Sequence, residues 1–273
     1  MPTVKHDAFF RRHPVFTGEE LAEHLSSGDG TGPGARTRES LVAYHTRTGH
    51  LVRVRRGLFA VIPHGSDSED YPIDPFLVAS KLTPDAVLSH HTALEFHGRA
   101  YSVWRHLTYL ASRPLEPLTF RHHVYRGARF PEALVRAGKE QFGVSTAERS
   151  GMSLRVTSLE RTLVDVLDRP HVSGGWEEIW RSLETVEFFD LDRVVEYVLL
   201  LGKATAASKV GYYLEEHRES LMVEEGHLKA LRSRRPRQPH YVDRKKRGNA
   251  SLVATWNLVV PTEVVERSWA EVT

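Results

Sequence analysis

Cysteine is absent from the 273 residues, which removes disulfides, thiolate metal sites and cysteine nucleophiles together. Long apolar runs are also missing. No stretch approaches the roughly 18 apolar residues of a membrane helix, and the opening MPTVKHDAFFRRHP has no apolar core of signal-peptide length. A cytoplasmic chain with no membrane partner is the expectation. A phosphate-cradling glycine loop is lacking as well, because Ser173-Gly174-Gly175-Trp176 has neither the lysine nor the preceding strand that such a loop needs. Histidines are plentiful, yet neither His90 nor His91 stands at zinc-helix spacing from His97, and His122-His123 is an adjacent pair. Satisfied or partly buried histidines are expected, with no metal and no cofactor. The acids Glu160, Asp165 and Asp168 share one predicted helix with Arg161 and Arg169, so ion pairs within the domain explain them better than a Mg2+ site. No catalytic residue is assigned.

What the chain does have is segregated charge. The net charge of +2 conceals nine Lys or Arg against six acids in residues 1–64, 18 against 25 in 65–227, and nine against one in 228–247. Two basic segments therefore flank an acidic body, which suggests two places for a polyanion and a large part that it avoids.

Residues 35–63, ARTRESLVAYHTRTGHLVRVRRGLFAVIP, are the densest of these features. The first half predicts a short helix: Thr37 can cap it, Leu41 and Val42 with Tyr44 or His45 supply an inner face, and Gly49 suits a left-handed end. A hairpin follows, in which Val52 and Val54 alternate with Arg53 and Arg55, Arg56-Gly57 turns, and residues 58–62 return as an apolar strand closed by Pro63. A helix running into a two-stranded wing is the second half of a winged helix-turn-helix, and six arginines (Arg36, Arg38, Arg47, Arg53, Arg55, Arg56) stand there against Glu39 alone. The base-reading groups are expected among Thr37, Arg38, Ser40, Tyr44, His45 and Arg47 on the helix, with Arg36 as a further DNA contact. Those expected to meet the DNA backbone are Arg53, Arg55 and Arg56 on the wing.

Upstream, residues 3–12 predict a helix with Phe9 and Phe10 inward and Pro14 ending it, and Thr17-Gly18-Glu19-Glu20 has capping-box spacing for a second over 17–26. The loop 26–34, SSGDGTGPG, is longer than a helix-turn-helix turn. Downstream, 65–73 is a polar linker and Asp74-Pro75 opens a helix. A short helix begins near Ser89, and residues 107–111, 118–125, 142–146 and 152–156 give a small sheet. Thr157 heads another capping box with Glu160, and four amphipathic helices over about 157–217 form a lobe. Residues 228–247 are a basic run, with Arg234, Arg235, Arg237, Arg244, Lys245, Lys246 and Arg247 as a second phosphate patch. Residues 252–260 are a strand returning to the sheet. The fold class is α+β: a winged helix-turn-helix at 1–64, a linker at 65–73, and a larger mixed α/β domain with a helical lobe at 74–273.

Five stretches, LVRVRRGLFAVIP at 51–63, DPF at 74–76, HTALEFHG at 91–98, TSLERTLVD at 157–165 and WNLVVP at 256–261, together resemble the AbiEi family of transcriptional regulators, antitoxins of type IV toxin-antitoxin and abortive-infection systems. That resemblance implies an N-terminal winged helix that represses its own operon on double-stranded operator DNA carrying repeats. It also implies a C-terminal domain that relieves a cognate toxin of the nucleotidyltransferase class. The family's DNA-contacting features fall here on 36–48 and 53–56, and no catalytic residues carry over. Two other readings compete: a solitary regulator without a toxin, and a winged helix that targets a nuclease or nucleotidyltransferase in 74–273. The lack of a paired-acid motif weighs against the second.

Overall fold

A computed structural model describes residues 4–26, 35–242 and 249–267; the side chains of residues 4, 5 and 35–37 lie outside the description, as do the expected loop at 27–34 and Arg244, Lys245, Lys246 and Arg247. The chain begins α1 (Val4–Arg12), β1 (Val15–Thr17), α2 (Gly18–Ser26), α3 (Ala35–Arg47), β2 (Leu51–Arg55), β3 (Leu58–Val61). The capping box forms as its spacing predicts: Thr17 N–H donates to Glu20 Oε2 at 2.8 Å and Glu20 N–H to Thr17 Oγ1 at 3.2 Å. Strand β1 is a finding that its three residues, ending on the capping Thr17, did not announce. It pairs antiparallel with β3, which pairs with β2, giving the sheet order β1-β3-β2. Gly57 turns the hairpin at φ 79°, and its carbonyl accepts from Gly18 N–H at 2.8 Å, which ties the start of α2 to the turn.

The body continues α4 (Pro75–Ser80), β4 (Val87–Leu88), α5 (His91–Phe96), β5 (His106–Ala111), β6 (Leu118–Phe120), β7 (His123–Arg129), α6 (Glu132–Ala137), β8 (Val144–Arg149), β9 (Met152–Thr157). Asp74 caps α4, accepting from Phe76 N–H at 2.9 Å, with Pro75 in the first turn, and its other carboxylate oxygen is paired with Arg149. The six-stranded sheet runs β6-β7-β5-β4-β9-β8, with the parallel pairs β5/β7 and β4/β9. The expected strand at 118–125 is two strands about a tight turn at Arg121, whose φ is 53°. β4 and α6, too short to show a period, are additions.

A helical lobe follows: α7 (Leu159–Asp168), α8 (Trp176–Glu184), α9 (Leu191–Leu201), α10 (Ala204–Glu216), α11 (Glu225–Arg232). The cap of α7 is Ser158 rather than Thr157, one residue on from the expected box, and Glu160 turns instead toward the Asp190 N–H at 3.4 Å. The basic run at 228–247 also starts differently, since Leu228 and Leu231 are fully buried on α11 and make it a fifth lobe helix. The chain closes with β10 (His240–Tyr241), β11 (Ala250–Val253), a 3-10 turn at Ala254–Trp256, β12 (Leu258–Pro261) and α12 (Thr262–Val265). The single strand expected at 252–260 is broken at Asn257, whose φ is 48°. It does not return to the main sheet; the strands form a separate sheet ordered β10-β12-β11. Trp256 in that break is fully buried, donating Nε1–H to Glu215 Oε2 at 2.7 Å, while its carbonyl accepts from Ser208 Oγ at 2.7 Å. Its ring occupies the space over Gly211, where a Cβ would lie 2.2 Å from it, so only glycine permits this helix face.

The segment 65–73 has neither helix nor strand, and Arg121 donates to the carbonyls of Ser68 and Glu69. The parts it joins pack directly. Val15, Val54, Leu58 and Ala60 belong to the same buried cluster as Leu77, Val78 and Leu82, whereas Phe9, Phe10, Phe16, Leu21, Val42 and Leu51 form a smaller core under α3.

Candidate nucleic-acid interface

Helix α3 is held on one side only. Val42 and His45 are buried, Leu41 is partly so, and Ser40, Ala43, Tyr44, Thr46 and Arg47 are exposed. His45, expected among the reading groups, is therefore corrected. At 3% exposure its ring packs edge-on to Phe10 at 5.0 Å, so of the two candidates for the inner face the helix uses His45 and frees Tyr44. Burial, followed by repulsion from His50 and His6, keeps the His45 pKa below the usual histidine range. Tyr44, 38% exposed, carries the Arg47 guanidinium 5.9 Å from its ring centroid.

On the wing the three arginines separate. Arg53 and Arg56 are exposed, with the Arg53 guanidinium 5.8 Å from the Phe59 ring. Arg55 is not free: it is half-buried and donates Nη2–H to the Leu82 carbonyl at 2.9 Å, which fastens the wing to the end of α4. A second fastening joins Lys81 to Glu20. Burial alone would raise the Glu20 pKa, but hydrogen bonds from Lys81 and the Thr17 amide hold it below the ordinary carboxylate range. Among the described residues, Arg38, Arg47, Arg53 and Arg56 form no ion pair.

Between these elements lies a cleft of about 1300 Å3. One wall is α3 and the wing, with Arg38, Arg47, Arg53, Arg55 and Arg56; α2 adds Glu19, Glu20 and Glu23; the opposite wall is the body, through residues 80–84, Thr146 and residues 153–155. The expected reading residues are thus divided. Arg38 lines the cleft and is partly buried, Ser40 and Tyr44 face outward, and Arg47 touches both settings. Arg36 and Thr37 lie outside the described side chains. Arg155 on the far wall was not singled out from the sequence, although the alternation of buried Met152, Leu154 and Val156 already pointed it outward.

The chain shares its fold with a mycobacterial protein. The crystal structure of the RV2827C protein from Mycobacterium tuberculosis superposes with a TM-score of 0.61 at 20% identity, over 97% of this chain and 92% of that one. The likeness covers the whole α+β arrangement. No family profile and no curated protein matches the chain.

The other candidate groups serve the interior. Arg161 is fully buried, donating Nη1–H to the carbonyls of Glu140 at 2.8 Å and Phe142 at 2.6 Å, with Nε 3.5 Å from Asp165 Oδ2. Asp165 accepts from the Tyr197 hydroxyl at 2.7 Å, and Asp168 is paired with Lys203 at 2.6 Å, so Asp165 and Asp168 form ion pairs within the fold while Glu160 accepts from the Asp190 amide. His91 lies between two carboxylates, Nδ1 2.9 Å from Glu95 and Nε2 2.9 Å from Glu178, under the Trp104 ring. Burial alone would lower its pKa, but these partners raise it. Glu178, which also accepts from the Ser102 hydroxyl at 2.6 Å, is brought down to about 2 against the opposing effect of burial. His90 is buried, and desolvation lowers its pKa to about 4. In the second basic patch, Arg234, Arg235 and Arg237 are exposed beyond α11, whereas Arg232 is taken up by Glu215 at 3.4 Å and Glu225 at 3.3 Å. No helix among the described residues is long and apolar enough to cross a membrane.

Proposed function

We propose that the chain is a sequence-specific DNA-binding repressor in which residues 4–61 act as a winged helix-turn-helix. Four arginines with no ion pair among the described residues, Arg38, Arg47, Arg53 and Arg56, on and beside a helix whose outer face is exposed at Ser40, Ala43, Tyr44 and Arg47, carry this reading. Supporting it is the order helix, strand, helix, helix, strand, strand about a three-stranded antiparallel sheet, the arrangement that presents one helix to a major groove and a hairpin to the adjoining backbone. The resemblance to AbiEi regulators extends the proposal. The operon repressed is its own, and the body counteracts a toxin of the nucleotidyltransferase class encoded beside it. Relief of that neighbour's toxicity on co-expression checks this half, and undiminished toxicity sinks it.

The test of DNA recognition is affinity for a duplex selected from a random pool and for a scrambled duplex, at several salt concentrations. Arg38→Ala is expected to cost about 1–3 kcal/mol on the selected site and to narrow its margin over the scrambled one. Arg56→Ala should weaken both duplexes by similar factors and reduce the salt slope by about one phosphate contact. If Arg56→Ala loses discrimination while Arg38→Ala loses only general affinity, the reading element has been assigned to the wrong part of the fold.

A further inference from the structure

A helix seated in a major groove has a sugar-phosphate strand along each flank. On α3, Ser40 and Tyr44 mark one flank, which faces open solvent. Glu39, Ala43 and Thr46 mark the other, and this flank opens into the cleft whose far wall belongs to the body. A strand following that flank must pass between the wing and residues of β8 and β9. The far wall suits a phosphate. Thr146 and Arg155 are cross-strand partners, Ser153 lies two residues before Arg155 on the same face, and alternate residues of β9 are buried in the sheet beneath. Hydroxyl and guanidinium groups are the usual side-chain contacts to phosphate oxygens.

The charges on this wall narrow the choice to one residue. Lys81 is occupied by Glu20, which it also neutralises. Arg155 anchors Nη2 on the Pro84 carbonyl at 2.7 Å and has no carboxylate partner among the described residues, although the segment around it is acidic overall. The bond from Arg55 to Leu82 sets the separation of the two walls.

We infer that one strand of the duplex runs through this cleft and that Arg155 holds a phosphate of it, so that the DNA-binding surface includes the body as well as residues 4–61. The inference rests on the DNA-binding reading above. It is tested on the full chain, with selected and scrambled duplexes, by the salt dependence of affinity. Arg155→Ala should weaken both duplexes several-fold and lower the slope by about 0.9, the value of one phosphate, whereas Arg155→Lys should keep the slope. Ser153→Glu, a charge added on the same exposed face, should weaken both duplexes without altering the unfolding midpoint. A slope that Arg155→Ala leaves unchanged while Arg56→Ala lowers it overturns this inference and spares the DNA-binding reading. Failure of the wild-type chain to retain any duplex overturns both.

Discussion

Arg161 and Arg53 carry the same guanidinium into opposite settings. Arg161 sits in the lobe with no exposed surface, two carbonyls at one nitrogen, a carboxylate beside another and the Tyr197 ring 5.4 Å away. Arg53 stands exposed on the wing, with the Phe59 ring 5.8 Å away and no ion pair among the described residues. Removing a charge from water is tolerable only where partners are built around it, and in the lobe Arg161 has two carbonyls and the Asp165 carboxylate beside it. For Arg38, Arg47, Arg53 and Arg56, on α3 and the wing, no such polar partner is present among the described residues, whereas Arg55 is tied to Leu82. A charge left open is free to meet an anion from outside, at little cost to the fold. Charge density in the sequence does not separate these two uses; the number of partners does.

The largest expected effect falls on the enclosed side. Arg161→Ala leaves Asp165 buried beside an empty space, and urea unfolding should show a loss of about 3–5 kcal/mol. A loss below about 1 kcal/mol would mean that the buried set relaxes as freely as a surface one.

The His91 and Glu178 pair adds a pH signature of middle size. Because the folded His91 pKa lies above 6.5, its contribution is fully present below that value and is lost as pH rises through the folded pKa. Glu178 behaves oppositely: its contribution is present above 4.5 and is lost as pH falls toward about 2. Glu178→Gln should cost about 1.5–3 kcal/mol at neutral pH and flatten both limbs of a melting-temperature profile. Limbs that keep their wild-type steepness in the variant would assign the titration to other groups.

The smallest effect belongs to the open side. Arg53→Ala should change stability by no more than about 0.5 kcal/mol, while lowering the salt slope of duplex binding. A destabilisation of 2 kcal/mol would show that the wing arginines hold the fold, and the distinction between the two populations would fail.

Much of the fold was legible because local chemistry decides it. The caps at Thr17 and Asp74, the turn at Gly57 and the apolar spacing of α8 and α9 each depend on a few neighbouring residues. The errors came where distant packing decides. Tyr44 and His45 are equally plausible inner residues until Phe10 is placed against one of them. The stretch at 252–260 reads as one strand because its break is made by Asn257 without glycine or proline, and α11 was concealed by the lysine and arginines that share its segment. For the site, the arginine cluster was visible, but neither the attachment of Arg55 to Leu82 nor the cleft wall at Arg155 could be, since both join residues far apart in sequence.

Trp256 imposes an order on biosynthesis. Helix α10, which meets it with Ser208, Gly211 and Glu215, leaves the ribosome some forty residues ahead of it, 41 positions separating Glu215 from the indole it accepts from. Until that side chain emerges, the face of α10 left bare by Gly211 has nothing to close on. The lobe therefore reaches its final packing late, and its nascent form presents an apolar socket to whatever surrounds the growing chain.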